Sequence, residues 1–283
     1  MSITKEATYD AQWVERFYDQ YGEKEWTRLV DNPASEVKLH VHRHYLARHI
    51  RRGDRVLEVG PGPGRFTQVL AAIGARVVVA DISAVQLGLN RQHAVAGGFE
   101  YAVERRVKLD VCDMRMLECR SFDAVVCYGG PLSYVFERRA EAVSEILRVL
   151  KPGGVALLSV MSLWGTVHEY LSAVLDLPPE VNRRIIETGD LHPVHYPQSD
   201  HNCHMFTAGE LRTLLEDRGA EVLEVSASNC LSAARRDSLS EVRQDPAKWE
   251  QLLEAELEAC RQPGCVDMGT HTIAVARKPA GAG

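Results

Sequence analysis

The chain has 283 residues, 45% of them hydrophobic and 25% charged, which is enough apolar material for one large core with appended segments and too much for a disordered chain. A net charge of −6, with no run of lysines or arginines, gives a phosphate backbone no electrostatic footprint to meet, so no nucleic-acid partner is expected. Seven cysteines (Cys112, Cys119, Cys127, Cys203, Cys230, Cys260, Cys265) in no repeating spacing read as reduced thiols, the start M-S-I-T-K lacks the apolar stretch of an export signal, and no window reaches the roughly 18 apolar residues of a membrane span; a soluble cytoplasmic protein with no membrane partner is expected.

In chain order, residues 1–52 read as an N-terminal helical cap segment, in which His40, His42, His44 and His49 lie on a predicted helix as solvent-facing or packing residues. From Arg55 to Val160 short apolar runs alternate with amphipathic stretches, the pattern of parallel strands joined by crossover helices. The predicted strands are Arg55–Gly60, Arg76–Asp81, Arg106–Asp110, Phe122–Tyr128 and Gly154–Val160. Phe66, Val69, Leu70 and Ile73 form one apolar helix stripe that Gly74 ends, and Val143, Ile146, Leu147 and Leu150 form another before Lys151-Pro152-Gly153-Gly154. Thr207 and Glu210, three apart before Leu211, Leu214 and Leu215, read as a capping box. Glu221–Ala227 and His271–Ala276 are the last two strands, and Asp245-Pro246 opens a helix carrying Trp249, Leu252, Leu253 and Leu257 on one face. The core is therefore assigned to 53–160 and 207–278, with insertions at 161–206 and 228–269 that fold over a substrate; the chain ends in a frayed Pro279-Ala280-Gly281-Ala282-Gly283 tail.

The run Val56-Leu57-Glu58-Val59-Gly60-Pro61-Gly62-Pro63-Gly64 puts a strand, a sharp turn and a helix start within ten residues. Gly60, Gly62 and Gly64 accept positive φ and let a ligand lie against the backbone, while the helix N-terminus favours negative charge. Asp81 ends the next strand, where a carboxylate can accept both hydroxyl hydrogens of a ribose. A dinucleotide fold expects G-x-G-x-x-G, whereas this spacing is G-x-G-x-G with prolines between, which favours another nucleotide-like ligand.

On these residues, with Leu150 to Gly154 reading L-K-P-G-G, the chain closely resembles the class I (Rossmann-like) S-adenosylmethionine-dependent methyltransferases. The resemblance implies an α/β fold, a doubly wound, seven-stranded, mostly parallel sheet whose last strand is antiparallel, with helical lid insertions. It implies that Glu58 and the glycine turn (Gly60, Pro61, Gly62, Gly64) hold the amino-acid end of S-adenosylmethionine, and that Asp81 and Ile82 hold its ribose. It places Asp113 on the adenine amino group, the Met114 backbone beside the ring, and Tyr128 and Gly129 around the methyl donor. Phe17-Tyr18-Asp19-Gln20-Tyr21 resembles the tyrosine-bearing segment that closes over the cofactor in small-molecule methyltransferases; Tyr18 and Tyr21, three apart, share a helix face. The N-P-P-Y or D-P-P-Y motif of amide-nitrogen methylators is absent at Gly129-Gly130-Pro131-Leu132-Ser133-Tyr134, so a small acceptor with an O, N or activated C nucleophile is expected.

A general base is needed only when the acceptor is a hydroxyl or a protonated amine, and a histidine suits that role near neutral pH. His192, His195, His201 and His204, with Tyr196 and Cys203 among them, stand in the first insertion. A polar lid, a basic or substrate-binding histidine, and a metal site are the three readings; the spacing matches no zinc pattern, so no metal is expected, and His195, His201 and Tyr128 are the candidate catalytic residues. Met161, Trp164, Tyr170 and Met205 could form an apolar lid wall. A nicotinamide-dependent oxidoreductase and a non-catalytic S-adenosylmethionine-binding module are the alternatives, and the oligomeric state, a homo-oligomer included, is open.

Overall fold

The computed structural model describes residues 6–281, apart from the side chains of Arg236 and Asp237. The first five residues and the last two of the glycine-rich tail, on which two sequence expectations rest, lie outside the described residues. Three helices come first: α1 (Ala11–Tyr21), the single turn α2 (Lys24–Thr27) and α3 (Pro33–His49), the last opened by Asn32, which accepts from the Ser35 amide. Then follow β1 (Arg55–Val59), α4 (Arg65–Ile73), β2 (Arg76–Asp81), α5 (Ala84–Ala96), β3 (Val103–Lys108), β4 (Phe122–Cys127), α6 (Arg139–Val149) and β5 (Leu150–Met161). The first insertion holds α7 (Leu163–Glu169), α8 (Leu171–Leu175), α9 (Pro179–Thr188) and a two-residue hairpin of β6 (Asp190–Leu191) with β7 (Cys203–His204). The chain closes with α10 (Ala208–Asp217), β8 (Glu221–Ala227), α11 (Arg236–Gln244), α12 (Pro246–Ala259) and β9 (His271–Arg277).

Seven strands form one sheet in the order β3-β2-β1-β4-β5-β9-β8, the doubly wound, mostly parallel arrangement that the sequence resemblance implies. β1 to β5 pair in parallel, and β9 runs antiparallel between β5 and β8. The central strands are near-continuous apolar runs because helices cover both faces. Leu57, Val78 and Val125 pack with Val143 and Ile146 of α6 and Leu211 of α10. On the other face Val56, Val77 and Val126 pack with Val41 and Tyr45 of α3 and Leu70 of α4. A smaller third core joins α1 to the insertion, with Val14 and Tyr134 against Leu163, Val181 and Met205.

Two strands differ from their sequence expectation by more than one residue. β3 runs from Val103 to Lys108, earlier than the predicted Arg106–Asp110, because it is the sheet edge and tolerates the exposed Glu104 and Arg105 that weaken its apolar pattern. β5 already begins at Leu150, but its register with β4 breaks between Phe122 and Ala124, where Lys151–Gly154 bulge out and Gly153 takes φ +78°. Among the described residues no helix is long and apolar enough to cross a membrane.

Strand order reverses between β1 and β4, so the carboxyl ends of β1, β2 and β4 open a crevice, the place where such sheets bind ligands.

Candidate active site

The crevice holds a cavity lined by Val59, Gly60, Pro61, Gly62 and Pro63 from the turn after β1, Asp81 and Ile82 from the end of β2, and Tyr128, Gly129 and Pro131 beyond β4. Gly60, Gly62 and Gly64 take φ of 65°, 55° and 99°. A Cβ on Gly60 would stand 2.5 Å from Pro131 Cγ, and one on Gly62 3.0 Å from Glu25 Cγ, so the turn is a bare backbone cradle. Gly64 serves the helix instead, opening α4 at a point where a Cβ would meet Asn90 Nδ2 of α5 at 2.5 Å. Glu58 does not line the cavity. Its Oε2 accepts from Thr67 Oγ1 at 2.6 Å behind the turn, Oε1 has no partner, and burial pushes its pKa up to about 8, so the expected direct hold on an amino-acid group is not what this side chain shows.

Asp81 is buried, accepting from the Ser83 amide at 2.9 Å and the Gly62 amide at 3.2 Å. Burial raises its pKa to about 6 against the opposing pull of those amides. Beyond β3, the residues that reach the cavity are Leu109, Asp110 and Val111. Neither Asp113 nor Met114, expected beside the adenine, lines this cavity. Asp113 points outward into an ion pair with Arg115, whose hydrogen bonds hold its carboxyl down at about 2, and Met114 is wholly buried in the core. The turn closed by the Asp110–Asp113 bridge carries the chain out of the crevice after Val111.

The N-terminal segment covers the cradle. Asp19 accepts from Ser83 Oγ, and Gln86 Nε2 donates to the Tyr18 and Gly22 carbonyls. Trp26 of α2 is sandwiched between the Arg65 guanidinium and the His93 ring, both 3.8 Å away. Arg28 forks onto Glu25 through Nε and Nη2 bonds of 2.6–2.9 Å, and the pair sits over Gly62 and Gly129. The Tyr18 hydroxyl donates to the Tyr134 hydroxyl at 2.9 Å.

A second cavity of about 490 Å³ adjoins the first, sharing Tyr18, Glu25, Arg28, Leu29, Phe66, Gly129 and Tyr134 with it. Tyr21 lines this second space and not the first. Met161, Tyr170 and Met205 help wall it; Trp164 does not and stays 43% exposed, contrary to the expected apolar wall. His201 reaches this cavity, edge-on to Phe17 and Tyr134, with burial lowering its pKa. His195 does not reach it. It lies in the turn with His192, its Nε2 buried without a partner. Tyr128 walls the donor side with its ring, but its hydroxyl is buried without a partner and burial lifts its pKa well above the ordinary value, which suits a wall better than a proton carrier.

Sequence reasoning missed two imidazoles. His42, read from the sequence as solvent-facing or packing, is 4% exposed and lines the second cavity, as does His271 at the start of β9. The signal for His42 was present in the apolar Val37, Val41 and Tyr45 that bury its side of α3, whereas nothing local marks His271. Glu25, Arg28 and Asp110 were missed because α2 is a single turn and Asp110 sits in an irregular loop.

His204 fastens the insertion. Its Nδ1 meets Asp190 Oδ1 at 2.7 Å and its Nε2 meets Glu210 Oε1 at 2.8 Å. Thr207 caps α10 by accepting from the Glu210 amide, but the Glu210 side chain turns to His204 and Arg139 and does not complete the expected box. Among the described residues no group of three or more His, Cys, Asp or Glu side chains is arranged to hold a metal ion.

Comparison with known proteins adds chemistry to this geometry. Residues 57–158 match a family model described as a methyltransferase domain. A ubiquinone biosynthesis O-methyltransferase of Nitrosococcus oceani is 29% identical over 214 residues, 75% of this chain and 79% of the relative. A tRNA 5-carboxymethoxyuridine methyltransferase of Escherichia coli is 23% identical over 239 residues, 80% of each. Among solved structures, the 4+2 cyclase SpnF aligns with a TM-score of 0.62 at 19% identity, covering 97% of this chain and 99% of that one. An S-adenosylmethionine-dependent methyltransferase from Methanosarcina mazei aligns at 0.55 and 18%, covering 83% and 97%. At such identities the two structures speak for the fold alone.

Proposed function

Because the chain belongs to the class I S-adenosylmethionine-dependent methyltransferases, we propose that it methylates an O, N or activated C atom of a small molecule held in the cavity beneath the insertion. S-adenosylmethionine supplies a methyl group already activated by its sulfonium, so in-line alignment is the enzyme's main contribution. The crevice suits that donor: the turn at Gly60 and Gly62 presents bare backbone to the cavity, and the buried Asp81 carboxylate, held by the Gly62 and Ser83 amides, faces the same space and keeps lone pairs for ribose hydroxyls. In this reading Asp81 and Ile82 hold the ribose, Asp110 and Val111 take the adenine edge in place of Asp113 and Met114, and Tyr18, Tyr128 and Gly129 wall the methyl-donor end. The family assignment displaces the oxidoreductase and non-catalytic alternatives.

The observation that supports a small acceptor is the second cavity, which is the size of an ordinary small-ligand site and meets the donor cavity at Gly129, Tyr18 and Tyr134. Phe17, Tyr21, Tyr170 and Met161 give this cavity an apolar wall beside its polar groups. The tRNA-modifying relative favours a nucleic-acid acceptor as the second reading. The test is S-adenosylhomocysteine release by the purified protein with a metabolite panel and, separately, with bulk tRNA. Release with metabolites and none with tRNA is expected; the reverse replaces the proposal with the second reading.

A further inference from the structure

Of the seven free cysteines, Cys230 and Cys265 stand near opposite ends of the second insertion and meet side chain to side chain, thiol hydrogen-bonded to thiol. The backbone around them is held independently of that bond. Glu256 of α12 is wholly buried, and its carboxylate accepts from the amides of Cys230, Leu231 and Ser232, which pins the segment carrying the first thiol. The segment carrying the second runs into β9, where His271 accepts from the Ser228 amide at 2.8 Å and donates to Ser228 Oγ at 3.2 Å. Gly269 packs so closely on Asn229 that a Cβ would stand 2.5 Å from the Asn229 carbonyl oxygen. Two anchored segments thus keep the two sulfurs together, and both residues are partly exposed, within reach of a solute. Cys260, the third thiol nearby, is fully buried and turns to Glu256 at 3.6 Å.

We propose that Cys230 and Cys265 are a reversible disulfide site whose oxidant is a low-molecular-weight disulfide such as oxidised glutathione, and that closing it fastens the second insertion to the start of β9. The Cys265 thiolate attacks one sulfur of the oxidant, an S–S bond to Cys265 forms, and one glutathione thiolate leaves. The Cys230 thiolate then attacks Cys265 Sγ, and the second glutathione thiolate leaves. Two thiols are oxidised, one disulfide is reduced, and the two protons go to the departing glutathiones. Burial first, then the Cys265 thiol beside it, push the Cys230 pKa up to about 12, which gives Cys230 the second step. By then the neighbouring thiol has become a mixed disulfide, and attack within one chain needs no encounter. The closed ring contains α11 and α12 and ends just before Thr270 and His271, which line the second cavity.

The test is treatment of the purified protein with excess oxidised glutathione, followed by tryptic mass mapping without reduction. Cleavage after Arg218, Arg235, Lys248, Arg261 and Arg277 puts Cys230, Cys260 and Cys265 on separate peptides. The expected result is a link between peptides 219–235 and 262–277 with the loss of two hydrogens, reversed by dithiothreitol, and a melting temperature about 5 °C higher in the oxidised form. Cys265→Ser should lose both the link and the shift, whereas Cys119→Ser, at the exposed thiol beside Arg148, should keep both. Should Cys265→Ser fail to fold, the map of the unaltered chain decides by itself. A link from peptide 249–261 to either of the others, glutathione left standing on Cys265, no reaction of the pair while Cys119 is modified, or a link without the shift overturns the proposal.

Discussion

The Tyr9 hydroxyl donates to Asp110 Oδ2 at 2.8 Å, tying the start of the chain to the loop that follows β3. Asp110 Oδ1 accepts from the Cys112 amide, so this carboxylate is oriented from both ends at the cavity wall. Asp113, three residues on, is occupied by Arg115 outside the cavity.

This contrast gives a paired substitution. Asp110→Ala should weaken S-adenosylhomocysteine binding by about 2 kcal/mol, the worth of a hydrogen bond to a charged group, or roughly thirtyfold. Asp113→Ala should change it less than twofold. Calorimetric titration of both variants decides, and equal losses would return the adenine edge to Asp113.

Gly60→Ala places a methyl against Pro131 in a backbone conformation that alanine resists. A cost of about 1–2 kcal/mol from the backbone alone is expected, seen as a lower melting temperature, together with a larger loss of donor affinity as the cradle shifts. Gly153→Ala is the control, since it shares a positive φ but has open space around it and lies on the far end of β5.

Two buried carboxyls set opposite pH limits. Glu58, raised to about 8 by burial, holds a proton in the folded chain that it loses when unfolded above the ordinary carboxylate range. Its contribution to stability is therefore present at low pH and is lost as pH rises towards 8 and above. Glu58→Gln should flatten the fall in melting temperature between pH 6 and pH 9. Asp81, raised to about 6, must be ionised to accept from a ribose, so donor affinity should fall as pH drops through 6, and this slope should vanish in Asp81→Asn.

Burial pulls the pKa of His204 down, but its bonds to Asp190 and Glu210 outweigh that and raise it above the ordinary value. The stabilisation it gives is complete below the unfolded value near 6.5 and is lost as pH climbs through the raised folded value. His204→Ala should cost about 2 kcal/mol, because it leaves two carboxylates facing each other. Limited proteolysis within residues 192–203 should accelerate in the variant, and in the wild type at high pH; unchanged cleavage would remove His204 from its role as fastener.

Much of this was legible in the chain itself, because period and punctuation are local properties. The stripe Phe66–Ile73 between two glycines, the cap at Asp245 and the strands Arg76–Asp81 and Glu221–Ala227 lie where their spacing put them. The glycine turn and Asp81 meet at one cavity, as their order implied. What was not legible depends on side chains brought together from afar. Asp110 and Asp113 are both loop aspartates, and only the outward path of the chain after Val111 separates them. His195 and His201 are equals in a histidine-rich stretch until the fold of the insertion turns one towards the cavity. His42 and His271 are 229 positions apart, and only the antiparallel return of β9 beside β5 brings them to one place.

The Glu25 methylene lies 3.0 Å from the point where Gly62 lacks a side chain. A side chain at position 62 would press on the single turn that carries Glu25 and, through Glu25, on the Arg28 fork. The bareness of the backbone after β1 and the seating of the segment ahead of it are therefore one demand on the sequence, met by a single missing atom.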